Sequence, residues 1–192
     1  MSVVHWPHRL LTLDDWTALP EDPEHRAEVV EGVLVVSPRP LFFHQRAVNR
    51  LTYWLDEQTS PEYSAMGEAE MVVATAPLTV RVPDVLVTSA LVADENPARI
   101  SAAEDVRLVI EVLSEGTVRT DRVTKFSEYA EVGIEHYWIV DLEDPASMTT
   151  YRLIDGEYEN FGEHTGKVSL DFDGTPLTLD LDALTTRHAQ RP

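Results

Sequence analysis

Three charged residues stand where they are costly to keep. Glu111 lies inside the apolar run Leu108-Val109-Ile110-Glu111-Val112-Leu113, and Asp84 inside Val82-Pro83-Asp84-Val85-Leu86-Val87. Lys125 is one of only two lysines in the chain, the other being Lys167. A carboxylate in such a run is either at a wet strand edge or buried with a partner, because an unpaired buried charge costs several kcal/mol. Two carboxylates from neighbouring strands plus a lysine could hold a hard divalent cation through oxygen ligands and waters. The same group could activate water against a phosphodiester. Two plainer readings stay open beside this one: an edge-strand Glu111, and a structural Glu111–Lys125 ion pair.

These residues need elements to bring them together. Residues 106–113 read as a long, nearly continuous apolar strand of the kind buried on both faces. Alternation puts Val109, Glu111 and Leu113 on one face and Ile110, Val112 and Ser114 on the other. Thr120 is a plausible cap for a helix running through Glu131 and stopped by Gly133. On that helix Asp121, Lys125 and Tyr129 recur at i, i+4 and i+8, beside an apolar stripe of Val123, Phe126 and Ala130. A turn containing Gly116 would let the helix pack back and aim Lys125 near Glu111.

Upstream, Thr12-Leu13-Asp14-Asp15 is a capping-box-like start for a short helix ending before Pro20. Residues 28–30 and 33–36 read as a hairpin across Glu31-Gly32. The segment at about residues 42–57 spaces Phe43, Ala47, Leu51 and Trp54 as one apolar helix face, with Arg46, Asn49 and Arg50 on the polar side. Residues 71–74, 78–82 and 84–88 are short β-branched strands broken by prolines. Downstream, residues 137–140 form an apolar strand, and residues 149–154 and 157–161 a hairpin across Asp155-Gly156. The order argues a single α+β, or mixed α/β, domain over residues 1–192.

Composition bounds the chemistry. The 192 residues are 43 % apolar and 26 % charged, enough to bury a core. The absence of cysteine excludes disulfides, thiolate metal sites and a cysteine nucleophile. The N-terminus does not read as a signal peptide, and no apolar run approaches the roughly 20 residues of a membrane helix, so a soluble, cytoplasmic protein is expected. No Gly-rich phosphate loop is present, and His136, His164 and His188 show no metal-ligand spacing. Trp16, Trp54 and Trp138 read as core or rim residues.

The net charge of −19 disfavours non-specific attraction to nucleic acid as a whole-molecule property. It is unevenly spread, however. Residues 14–31 carry seven acids and one Arg, residues 56–70 five acids and no base, and residues 141–192 eleven acids against four bases. Two windows go the other way: Arg39, Arg46 and Arg50 with His44, and Arg119, Arg122 and Lys125 against Asp121 alone. The acidity therefore does not exclude DNA; it predicts weak, salt-sensitive binding on one face, with Arg46, Arg50, Arg119 and Arg122 as candidate contacts.

The ordered set Glu28…Gly32, His44-Gln45, Pro83-Asp84, Glu111-Val112-Leu113-Ser114…Thr117, Asp121…Lys125…Tyr129…Gly133 and Tyr137-Trp138-Ile139-Val140-Asp141 resembles the putative restriction endonuclease-like family of the PD-(D/E)XK nuclease superfamily. The resemblance runs over about residues 12–184. It implies a restriction endonuclease-like core, a central mixed β-sheet flanked by helices, with additional β-hairpins. It further implies that Asp84 and Glu111 are side-chain ligands of Mg²⁺ or Mn²⁺, with the backbone carbonyl of Val112 as a third ligand. The usual lysine two residues after the glutamate is replaced by Leu113, which moves the amine role to Lys125. Glu28 matches a recurring family acid and His44 is a candidate for catalysis, while Asp121 and Tyr129 are candidates for fixing Lys125. Glu115-Gly116 and His136 depart from the family pattern.

The expected function is a metal-dependent endonuclease acting on DNA phosphodiester bonds, as a homodimer. The alternatives are a catalytically silent structural or regulatory binding module of the same fold, and a small-phosphoester hydrolase.

Overall fold

The computed structural model describes residues 9–20, 25–95, 100–114 and 116–186. Glu115 and His188 lie outside them. Helix α1 (Leu13–Thr17) starts as its sequence dictates: the Thr12 side chain accepts from the Asp15 amide while the Asp15 carboxylate accepts from the Thr12 amide. Strands β1 (His25–Val30) and β2 (Val33–Pro38) form the expected hairpin, closed by Glu31 (φ 48°) and Gly32 (φ 79°). Glycine is required at that turn on two grounds. The left-handed backbone disfavours a side chain, and a Cβ on Gly32 would meet the Leu10 Cβ at 2.5 Å.

Helix α2 (Phe42–Gln58) buries His44, Ala47, Val48, Leu51 and Leu55. Its inward face is thus rotated from the sequence expectation: Phe43 is 60 % exposed, and His44 takes the buried place. A phenyl ring is the more apolar of the two, but His44 is buried because the Val112 carbonyl and Asp84 meet it there.

Strands β3 (Tyr63–Gly67), β4 (Met71–Thr75), β5 (Leu78–Arg81) and β6 (Val85–Ser89) follow, then α3 (Ala90–Asp94), the short β7 (Ile100–Ser101) and α4 (Ala102–Asp105). The long apolar strand is β8 (Val106–Val112). After it come a π-helical turn (Thr120–Thr124), α5 (Lys125–Glu131), β9 (His136–Asp141), the hairpin β10 (Ser147–Ile154) with β11 (Glu157–Thr165), and a second hairpin, β12 (Lys167–Phe172) with β13 (Thr175–Asp180). A 3₁₀ turn (Leu181–Leu184) packs its Leu181 and Leu184 into the core.

The central sheet is mixed, in the order β11-β10-β9-β8-β6-β3, with β8 parallel to β9 and antiparallel to β6. A second sheet runs β2-β1-β5-β4-β7. Strand β8 is therefore interior, and its alternation separates two cores. Ile110 and Val112 pack with α2 residues such as Leu51 and Leu55, whereas Val109 and Leu113 pack with Tyr129 and Ile134 around α5. Helices cover both faces of the sheet, and the parallel β8–β9 pair is bridged by α5, as a parallel connection requires.

Thr120 is not a cap. The helical segment already begins at residue 118, and Thr120 lies inside it; the Thr117 side chain turns back to the Ser114 amide instead. Asp121, Lys125 and Tyr129 are the buried face, with Phe126 and Ala130 of the apolar stripe packed beside them; only Val123 departs, at 57 % exposed. No helix among the described residues is long and apolar enough to cross a membrane.

Candidate active site

Asp84 sits just before β6, and β8 carries Glu111 and Val112 beside it. The Val112 amide donates to Asp84 Oδ2 at 2.7 Å, which locks the two strand-end acids into one neighbourhood. His44, pointing inward from the first turn of α2, places Nε2 2.9 Å from the Val112 carbonyl oxygen and 3.2 Å from Asp84 Oδ2. Both neighbours are acceptors, so Nε2 carries the proton. Burial alone would lower the His44 pKa, but Asp84 outweighs it and the imidazole is raised. Arg26 of β1 completes the cage, with Nη1 2.8 Å from Asp84 Oδ1.

Glu111 is 1 % exposed. Its Oε1 accepts from the Tyr129 hydroxyl at 2.9 Å and from Lys125 Nζ at 2.9 Å. Lys125 Nζ also lies 3.3 Å from Asp121 Oδ1 and 3.8 Å from Glu28 Oε1, so one ammonium serves three carboxylates. The π-helical turn ends here, the Lys125 amide bonding to the Thr120 carbonyl, which turns Asp121 and Lys125 onto one inward face. The Tyr137 hydroxyl donates to the Asp121 carbonyl at 2.8 Å and holds that turn against the sheet.

Behind this layer, Arg81 Nη1 meets Glu28 Oε2 at 2.9 Å, and its Nε and Nη2 grip Glu128 through bonds of 2.8 and 2.7 Å. The Val82 amide donates to Glu28 Oε1 at 3.0 Å. Burial pushes the Glu28 carboxyl up, but Lys125 and Arg81 overcome it and hold it below the usual range.

Charge decides what such a site wants. Five carboxylates (Glu28, Asp84, Glu111, Asp121 and Glu128) face three permanent cations (Arg26, Arg81 and Lys125). The network is two positive charges short before His44 contributes. The titrations follow from that excess. Burial, reinforced by Asp84 and Asp121, raises Glu111 well above the usual carboxylate range despite Lys125. Lys125 is itself raised, since the carboxylates around it outweigh burial. Asp84 is lowered because His44 and Arg26 together overcome its burial.

This donor set fits a hard divalent cation. Asp84 and Glu111 supply oxygen ligands of the type Mg²⁺ and Mn²⁺ take, and the Val112 carbonyl converges with Asp84 on a single hydrogen-bond donor, His44 Nε2. Arg26 Nη2 and His44 Nδ1 are buried with no hydrogen-bond partner, polar atoms left over around the same acids.

Every residue singled out from the sequence for the centre (Glu28, His44, Asp84, Glu111, Asp121, Lys125 and Tyr129) lies in one connected cluster. Arg46, Arg50, Arg119 and Arg122 lie outside it. Arg46 and Arg50 run along α2 and donate to the Thr185 and Thr186 carbonyls. Arg119 and Arg122 are exposed, with Arg122 4.0 Å from Asp141. Sequence reasoning missed Arg26, Arg81 and Glu128. For Arg26 a signal existed: alternation along β1 puts it on the same face as Glu28.

A second group, Glu135, His136 and Asp173, is the one set of three described His, Asp or Glu residues whose ligand atoms all lie within 4.8 Å. Spacing hid it, because Asp173 arrives from the β12–β13 turn. It is already neutralised: Arg107 pairs with Glu135 and Asp173, and Arg152 with Glu135.

A family model described as "Uma2: Putative restriction endonuclease" matches residues 13–183. No curated protein matches the chain. Among solved structures, the chain is similar to a putative nuclease belonging to DUF820 from Anabaena variabilis, with a TM-score of 0.71 and 20 % identity over 91 % of this chain and 97 % of that one. That likeness shows a shared fold.

Proposed function

The chain belongs to the Uma2 family of putative restriction endonucleases, and from that premise we propose that it is a metal-dependent endonuclease cleaving DNA phosphodiester bonds at Asp84, Glu111 and Lys125. The observation that carries the reading is the buried union of two strand-end carboxylates with one lysine, inside a network of five carboxylates and three permanent cations. Asp84, Glu111 and the Val112 carbonyl would hold Mg²⁺ or Mn²⁺, which supplies a Lewis acid for the phosphate and a bound water of lowered pKa. Lys125 is held by Glu111 and Asp121 within reach of the same space, where its ammonium orients the attacking water or offsets charge building on phosphorus. Tyr129 fixes the Glu111 oxygen that Lys125 touches. His44 fixes Asp84 and the Val112 carbonyl, and acts as a positioning residue.

The test is cleavage of plasmid and oligonucleotide DNA in Mg²⁺ and Mn²⁺ by the protein and by Asp84→Asn and Glu111→Gln. Cleavage lost in both variants supports the proposal. An intact substrate in every condition, with no heat of metal binding, removes it. A second reading draws on the same geometry: the Lys125–Glu111 and Arg26–Asp84 pairs could be the whole purpose of the site, in a binding module without activity. That reading requires Glu111→Ala to act on stability rather than on any reaction.

A further inference from the structure

Residues 32–55 contain no Asp or Glu, the longest acid-free stretch of a chain that carries 34 of them, and they hold Arg39, Arg46 and Arg50. Most of that stretch is α2. On its outward side Phe42 is 91 % exposed, Phe43 60 % and Tyr53 61 %, an unusual cost for three aromatic rings in water. Helical spacing puts Phe42, Arg46, Asn49, Arg50 and Tyr53 on one stripe about 16 Å long. With Gln45 these residues form one open, shallow face of the helix.

We propose that this outward face of α2 binds unpaired nucleobases on a phosphodiester strand. The inference rests on the nuclease reading and names the form of its substrate. Three observations bear on it. The stripe lies in the longest acid-free stretch of a chain of net charge −19 and carries two arginines, so its complement is an anion. The arginines are set in place, Arg46 by the Thr185 carbonyl and by a stacked approach 5.6 Å over the Phe43 ring, Arg50 by the Thr186 carbonyl.

Rings interleaved with arginines are what a single strand needs, since each unpaired base offers a π-face to stack and each phosphate a charge to meet. A closed duplex keeps its bases stacked on one another and has no use for bare phenyl rings. His44, between Phe43 and Gln45, reaches Asp84 and Val112 from the opposite, buried side of α2, so the stripe is a surface of its own with the helix between it and the centre. A second copy across a two-fold axis fits less well, because it would set these arginines against their own equivalents.

The test is fluorescence anisotropy on the full chain in EDTA, with a short labelled oligothymidylate, the matching oligouridylate and a blunt duplex of the same length. Either single strand is expected to bind at least about fivefold more tightly than the duplex. Phe42→Ala/Phe43→Ala, an exposed double substitution, is expected to lose about fivefold or more on the single strand and little on the duplex. Arg46→Ala/Arg50→Ala should weaken both and flatten the salt dependence. The two oligomers distinguish DNA from RNA as the source of the bases, and binding of either supports the proposal.

Equal affinity for duplex and single strand, or an unchanged affinity in the phenylalanine variant, overturns it. So does a dimer in sedimentation that this variant turns into a monomer, which assigns the face to a second copy. Cleavage is read separately: binding without cleavage in Mg²⁺ or Mn²⁺ leaves the surface and removes the nuclease, and cleavage with phenylalanine-independent binding does the reverse.

Discussion

Lys125 Nζ lies 2.9 Å from Glu111 Oε1, yet the two partners of this buried pair are not equivalent. Lys125 retains Asp121 and Glu28 when Glu111 is removed, whereas Glu111 loses its nearest cation when Lys125 is removed. Glu111→Gln should therefore leave urea stability in EDTA almost unchanged or slightly raised, since it deletes an acid whose ionised form the site resists. Lys125→Met should cost about 3–5 kcal/mol, the range for stranding buried charge. A Glu111→Gln loss as large as that of Lys125→Met would show that the pair is structural.

Metal should stabilise the folded chain through the Asp84–Glu111 centre. A ligand at about 100 times its Kd adds about 2.7 kcal/mol. Mg²⁺ or Mn²⁺ should accordingly raise the melting temperature of the protein, and Asp84→Asn should abolish the rise. His136→Gln should leave it intact, because the Glu135–His136–Asp173 group is already compensated by Arg107 and Arg152. A rise that follows His136 instead would relocate the metal.

The site was readable from the sequence where one residue type contradicted its surroundings. Glu111 in an apolar strand and Lys125 at helical spacing from Asp121 and Tyr129 both signalled burial with a partner, and the fold brings them together. The signal failed where identity and environment agree on the surface of things. Phe43 reads as core and is exposed, while His44 reads as polar and is buried, because only the tertiary structure supplies Asp84 and the Val112 carbonyl to satisfy it. Arg26 shares a face of β1 with Glu28, but nothing local named its partner Asp84, which lies 58 residues away. The π-helical turn was invisible for another reason: one extra residue in a helix changes the phase of a pattern, not its composition. The β12–β13 hairpin alternates clearly, with Val168, Leu170, Phe172, Leu177 and Leu179 turned inward, but that pattern carries no sign that the turn residue Asp173 is a partner of His136.

His44→Ala should separate positioning from ligation. Its ring holds the Val112 carbonyl and Asp84 Oδ2 on one side of the centre without supplying a ligand itself. Removing a group that orients metal ligands typically costs about 10- to 100-fold in metal affinity or activity. The expected outcome is a cleavage rate that recovers in part at high Mg²⁺, measured as a metal titration of initial rates. A rate that stays flat at every metal concentration would make His44 a direct participant in the reaction.

The Asp173 cluster predicts the acid limb of stability. Burial pushes the Asp173 carboxyl up, but hydrogen bonds from Arg107 and Tyr63, with the Arg107 charge, hold it down to about 2. A depressed acid stabilises the folded state above its unfolded pKa of 3.8, and the contribution is lost as pH falls from about 4 toward 2. His136 works in a different window: burial lowers its pKa below 6.5, so the folded chain resists protonating it and loses stability as pH falls through the usual histidine range. Asp173 is what moderates that lowering. Asp173→Asn should therefore reduce the urea midpoint at pH 7, remove its share of the slope between about pH 4 and 2, and steepen the decline around the histidine range. Urea midpoints across pH for both proteins check all three, and parallel curves would show that Arg107, Tyr63 and His136 draw nothing from the Asp173 charge.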